Sequence, residues 1–159
     1  MNIDILCVGK IKEDYLRAAI AEYLKRLQKY CKLNIIEVAD EKTVDKQSKA
    51  LDEQVKSREG ERLIKYIKDD AYVITLEIGG KMLDSVEFSS LIDKLSVNSV
   101  SNIQFIIGGS LGLSPDVLKK SDMALSFSKM TFPHQLMRVI LLEQIYRGYR
   151  ISNNEPYHK

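Results

Sequence analysis

Apolar and polar positions change their period several times along these 159 residues. Residues 2–8 alternate and then run apolar through Ile3, Ile5, Leu6 and Val8, the pattern of a strand. Over residues 12–30, Leu16, Ile20, Tyr23, Leu24 and Leu27 recur at helical spacing with lysines and acids between them. Residues 33–39 (LNIIEVA) predict a second strand. Residues 45–68 are highly charged yet keep a helical stripe of Leu51, Val55, Leu63, Ile64 and Ile67, with Gly60 placed to break that helix near its middle. Residues 71–78 (AYVITLEI) are almost continuously apolar and β-rich, as in a central strand covered on both faces. Gly79-Gly80 is then expected to turn the chain into a helix over 85–95 and a buried strand over 101–107. A glycine-rich loop follows, Gly108-Gly109-Ser110-Leu111-Gly112. After it, Ser114-Pro115-Asp116 combines a capping hydroxyl, a first-turn proline and an acid at the positive end of a helix. Residues 123–127 predict a fifth strand. Phe132-Pro133 opens a last helix reaching about Tyr149 or Ile151, and residues 152–159 read as irregular.

Strands alternating with helices predict an α/β fold with a mostly parallel sheet flanked by helices. No linker, repeat or low-complexity stretch interrupts residues 1–159, which read as a single domain. A composition of 45% hydrophobic and 29% charged residues fits a soluble globular protein. The most apolar run, 136–142, is broken by Arg138 and closed by Glu143, so no membrane span is expected. The N-terminus lacks a basic start and a small-residue cleavage site, which points to the cytoplasm, with Cys7 and Cys31 free and packed. No CxxC or Cys/His cluster suggests a metal.

Charge is uneven. Residues 129–159 carry five basic and two acidic side chains, and residues 1–32 carry seven and four. Two basic ends suit a phosphate-binding face, and a scatter of solvated lysines fits the same counts equally well. The glycine loop lacks the i, i+2, i+5 spacing of a dinucleotide fingerprint, and no Walker-type GK[ST] follows it, which argues against NAD or ATP. It is either an ordinary tight turn or a place where bare backbone meets a ligand such as an adenosine.

Three segments taken together are specific: residues 106–113 (IIGGSLGL), 125–134 (LSFSKMTFPH) and the ending 149–159 (YRISNNEPYHK). With the opening Cys-Val-Gly-Lys, they make the whole chain resemble the RlmH family, the 23S ribosomal RNA (pseudouridine-N3)-methyltransferases of the SPOUT superfamily. The resemblance implies a deep C-terminal trefoil knot, a homodimer, and S-adenosylmethionine as methyl donor with no metal. It carries cofactor contacts to Leu76, Gly108 and the stretch Phe127, Ser128, Lys129, Met130, Thr131 and Phe132, with Gly109 as a neighbour. Read singly, Phe127 and Met130 are core residues, Ser128 and Thr131 helix-entry hydrogen-bonders, and Lys129 a solvated charge. Apolar residues on more than one face of the last helix call for a second covering surface, which a dimer would supply.

Methylating a ring nitrogen requires a group to take its proton. Tyr157 or His158 in the tail is the expected group, reaching a pocket of its own subunit or of the partner subunit, with Arg150 and Lys159 on phosphate. His134 is the rival. With no separate RNA-binding domain, recognition would depend on RNA shape, and an assembled ribosome is the expected substrate. The alternatives are a SPOUT enzyme acting on transfer RNA and a ribosome-binding protein without catalysis.

Overall fold

Side-chain alternation along β1 (Asn2–Val8) divides the core in two. Ile3, Ile5 and Cys7 enter a cluster of 17 buried residues on one face of the sheet, and Leu6 and Val8 enter a cluster of seven on the other. A computed structural model describes residues 1–159. After β1 come α1 (Asp14–Leu27), β2 (Lys32–Val38), α2 (Lys49–Ile64), β3 (Ala71–Met82) and α3 (Ser85–Val97). β4 (Asn102–Ile107), α4 (Pro115–Leu118), β5 (Met123–Ser126) and α5 (His134–Ser152) complete the chain. The five strands form one sheet in the order β2-β1-β4-β3-β5, and every pairing is parallel. Central β1 and β4 are buried along nearly their whole length, as strands covered on both faces must be. Helix α5 packs between α1 and α3 on one face, and α2 and α4 pack together on the other.

Two expectations are corrected. Helix α2 runs unbroken through Gly60, because there the helix lies against the start of α4. A Cβ at Gly60 would sit 2.2 Å from Ser114 Oγ, so the glycine permits contact instead of ending the helix. Strand β3 does not stop at Gly79-Gly80 but resumes as far as Met82. Leu76 and Lys81 both pair with Leu125 of β5, so the intervening residues bulge outward. Gly80 returns so close to β5 that a Cβ would lie 2.7 Å from the Ala124 carbonyl carbon.

The several apolar faces of α5 are covered within the chain only in part: Leu136 is exposed, and Met137, Val139 and Ile140 are half-buried. Leu141, Leu142, Ile145 and Tyr146 are buried among α1, α3 and the sheet.

At the carboxyl end of the central strands sits Arg138 of α5, 1% exposed. Its Nη2 donates to the carbonyls of Val8 (2.9 Å) and Gly9 (2.7 Å), and its Nη1 to Glu37 Oε2 (2.6 Å). This fork ties the start of α5 to the ends of β1 and β2. Removing one partner of a buried ion pair strands the rest. Arg138→Met should therefore cost about 3 kcal/mol or more, with Arg138→Lys intermediate because a single ammonium cannot reproduce the fork. Urea unfolding checks this, and a loss below about 1 kcal/mol for the methionine variant would show that the fork does not hold α5.

Candidate active site

Open parallel sheets place ligands beyond the carboxyl ends of their strands, and the principal cavity, about 840 Å³, lies there. Its walls are three connections: residues 76–79 in the bulge of β3, residues 107–113 after β4, and residues 125–128 and 130–134 between β5 and α5. Leu118 and Met137 complete it. Apolar side chains dominate (Leu76, Ile107, Leu113, Leu125, Phe127 and Phe132 among them), with backbone and hydroxyl groups of Ser110, Ser126, Ser128 and Thr131 between them. That mixture, and a volume within the roughly 300–1,000 Å³ of small-molecule sites, suits a ligand with a flat ring and a few polar edges.

The glycine loop forms a tight turn that also faces a cavity. Gly112 N–H donates to the Gly109 carbonyl at 3.1 Å, and Gly112 has φ +86°. A Cβ at Gly108 would lie 2.8 Å from the Gly112 carbonyl carbon, so the turn closes only with glycine there.

Beneath this loop lies Glu59 of α2, 4% exposed, which the sequence reading did not single out. Its Oε2 accepts from the Glu41 backbone N–H at 3.0 Å, and its Oε1 has no partner. A Cβ at Gly109 would stand 3.1 Å from that Oε1, so the loop rests on the carboxyl group. Burial pushes the Glu59 carboxyl above the ordinary 4.5, with Asp40 and Glu41 adding to the rise and the Glu41 N–H and Arg62 opposing it.

Of the sequence-derived cofactor residues, Leu76, Gly108, Gly109, Phe127, Ser128, Met130, Thr131 and Phe132 all line the cavity. Lys129 departs from them: it is exposed and outside the lining. His134 lines the cavity too. Burial, then the nearby positive charge of Arg138, holds its imidazole below the usual range, against the opposing effect of Asp40.

The tail residues lie elsewhere. Tyr157 donates to Glu143 Oε2 (2.9 Å), packs edge-on against Tyr146 (5.0 Å between centroids) and lies under the Arg147 guanidinium. Arg147 Nη1 donates to His158 Nδ1 at 3.3 Å. Burial and the bond to Glu143 push the Tyr157 phenol up, so it serves as a donor. Arg150 is not free for phosphate. It pairs with Glu155 and donates to the Pro156 carbonyl at 3.1 Å, clamping the tail to α5. None of residues 143–159 lines the cavity, which takes only the first turn of α5. His134 and Arg147 stand about 20 Å apart along the helix axis. Cys7 and Cys31 are free thiols, each raised to about 11 by burial. No cluster of three or more His, Cys, Asp or Glu side chains is arranged to hold a metal.

This fold and cavity have known counterparts. Residues 1–158 match the family model described as "Predicted SPOUT methyltransferase". The chain belongs to the SPOUT methyltransferase family, and it is a methyltransferase. It is 62% identical over 159 residues to the Bifidobacterium adolescentis protein named ribosomal RNA large subunit methyltransferase H, covering 100% of both chains. Proteins of the same name from Clostridium tetani and Clostridium kluyveri are 59% and 58% identical, also over both full lengths. A solved structure of a probable methylase family protein from Haemophilus influenzae shares the fold, with TM-score 0.56 and 17% identity over 99% of this chain and 70% of that one.

Glu59 generates a pH-dependent outcome. In the unfolded chain this carboxyl ionises freely above pH 4.5, whereas the folded site resists ionisation. Folded stability held at acid pH is therefore lost as pH rises from 4.5 through the raised folded value. Glu59→Gln should gain melting temperature relative to the parent as pH rises from 4 to 7. A difference that stays constant across that range would contradict a strained, buried carboxyl group.

Proposed function

We propose that the cavity binds S-adenosylmethionine and that the protein methylates N3 of a pseudouridine in large-subunit ribosomal RNA, acting in the cytoplasm on the assembled ribosome. The observation that carries this reading is the convergence of residues 76–79, 107–113 and 125–134 on one cavity. These stretches are far apart in sequence, and the resemblance assigns cofactor contacts to residues within each. The three full-length relatives are themselves named as large-subunit ribosomal RNA methyltransferases. The donor fits the residues present: apolar walls for adenine, hydroxyls and open backbone for ribose, and no need of a metal.

In this reading residues 1–159 are a single domain whose C-terminal part forms a trefoil knot, the turns of the cavity being the turns of the knot. Bound there, S-adenosylmethionine supplies an electrophilic methyl group; the protein's own tasks are placement of the target nitrogen and removal of its proton. Leu76, Phe127, Met130 and Phe132 enclose the adenosine, and the Gly108-Gly109 turn lets it approach the backbone.

The protein acts as a homodimer. Tyr15, Ile78, Met82, Val86, Met130 and Leu136 are large exposed apolar side chains near the helix starts and the strand ends around the cavity, an edge suited to a second copy. Because the tail is docked away from its own cavity, Tyr157 and His158 serve the cavity of the partner subunit. Lys159 meets phosphate, and Arg150 contributes by holding the tail in place. A second reading of the proton acceptor is His134, favoured by its position in the cavity wall and by an imidazole held below its usual range.

Methyl transfer from labelled donor should be measured on whole ribosomes, isolated large subunits and free ribosomal RNA, with transfer RNA as control. Incorporation into large-subunit RNA on ribosomes is expected; incorporation into transfer RNA alone, or none, would overturn the proposal. Truncation after Asn154 should lower the rate by ~100-fold or more, the scale of a lost acid–base group, while calorimetry shows cofactor affinity within about threefold of the parent. Full activity in the truncation, with loss in His134→Ala, would move the proton to His134.

A further inference from the structure

Among the residues lining the cavity, Glu77 is the one acidic side chain, and no lysine or arginine joins it; His134 is the other titratable group. Lys129, whose ammonium would have balanced Glu77, points outside the lining. Glu77 is also fixed in place. The hydroxyl of Thr75, which is fully buried, donates to Glu77 Oε2 at 2.7 Å and lies 2.7 Å from the Ser121 hydroxyl. No hydrogen bond from the protein reaches Oε1. The bulge of β3 thus carries a carboxylate with one oxygen anchored and the other uncommitted, set in a mainly apolar wall.

An uncompensated carboxylate in such a wall costs solvation unless a positive charge joins it. The ligand assigned to this cavity carries one at the right moment. In S-adenosylmethionine the α-ammonium and α-carboxylate cancel, and the sulfonium leaves a net positive charge. Transfer of the methyl group breaks the C–S bond and leaves its electron pair on sulfur. The new C–N bond uses the electron pair of the ring nitrogen, whose proton passes to the base. The remaining thioether is neutral. A fixed carboxylate attracts the first molecule and is indifferent to the second.

We propose that Glu77 is a specificity-determining residue that reads the positive charge of the methyl donor and so favours donor over spent product in the cavity. This rests on the reading of the cavity as an S-adenosylmethionine site. Thr75 acts through Glu77 as a positioning residue.

Calorimetric titration with S-adenosylmethionine and S-adenosylhomocysteine tests it in the parent protein, Glu77→Gln and Glu77→Asp. Glutamine keeps the shape and the bond to Thr75 but removes the charge. Glu77→Gln should weaken donor binding about tenfold, the scale of one partly screened charge pair, and leave product binding within about twofold. Glu77→Asp should retain the preference for donor. In turnover, KM for the donor should rise in Glu77→Gln while the product-inhibition constant stays put. Equal weakening of both ligands, or no change in either, would overturn the proposal while leaving the cavity's assignment standing. Failure of the parent protein to bind either nucleoside would overturn the assignment itself, and this inference with it.

Discussion

A guanidinium withdrawn from water needs every partner it can find, and Arg138 finds its partners at the spent ends of two strands. The carbonyls of Val8, at the end of β1, and of Gly9, just beyond it, both accept from Arg138, which also pairs with Glu37 from β2. One side chain therefore fixes the first turn of α5 against the carboxyl edge of the sheet. The chain leading into that turn, Thr131 to His134, forms one wall of the cavity. The position of that wall is a consequence of where Arg138 is anchored.

The other two walls depend on how closely backbone passes backbone. The turn after β4 closes because Gly108 meets Gly112 without a side chain between them, and the bulge of β3 returns to β5 because Gly80 lies against Ala124 and Leu125. Below the turn, Gly60 lets α2 press on Ser114, and Glu59 beside it supports Gly109. Close packing of this kind leaves the loops little freedom, which suits a cavity that reads a ligand through its main chain. The cost is a carboxyl group buried without a full set of partners.

Much of this could be read from the residues because local chemistry and global fold agree. Period-two runs became strands, and Ser114 with Pro115 capped α4 as their types require, Ser114 Oγ accepting from Val117 N–H at 3.4 Å. What was misread turned on a neighbour far away in the chain. Gly60 looked like a helix break until Ser114 stood across from it. Gly79-Gly80 looked like the end of a strand because β5, its second pairing partner, lies more than 40 residues on. The same holds at the cavity. Its contiguous stretch from Phe127 to Phe132 was legible, but that Lys129 alone stands outside the lining was not. Arg138 and Glu77 each stand as a single charge in an apolar run, a signal that marks a residue without saying what it meets. Glu59 gave no signal, since it sits among charged neighbours on a helix whose other acids and bases are mostly solvated. Arg150 read as a free cation because its acceptors, Glu155 and the Pro156 carbonyl, lie in a tail whose fold no periodicity predicts.

Cavity and tail occupy opposite ends of α5, so the proposed role of Tyr157 and His158 requires the tail of a second subunit. A crystal structure of the protein with S-adenosylhomocysteine addresses this most directly. The expected result is a two-fold dimer with the nucleoside enclosed by Leu76, the Gly108-Gly109 turn and residues 127–132, and with the partner's tail over the cavity mouth. Nucleoside bound at another place, or a monomer with the cavity open to solvent on all sides, would contradict it.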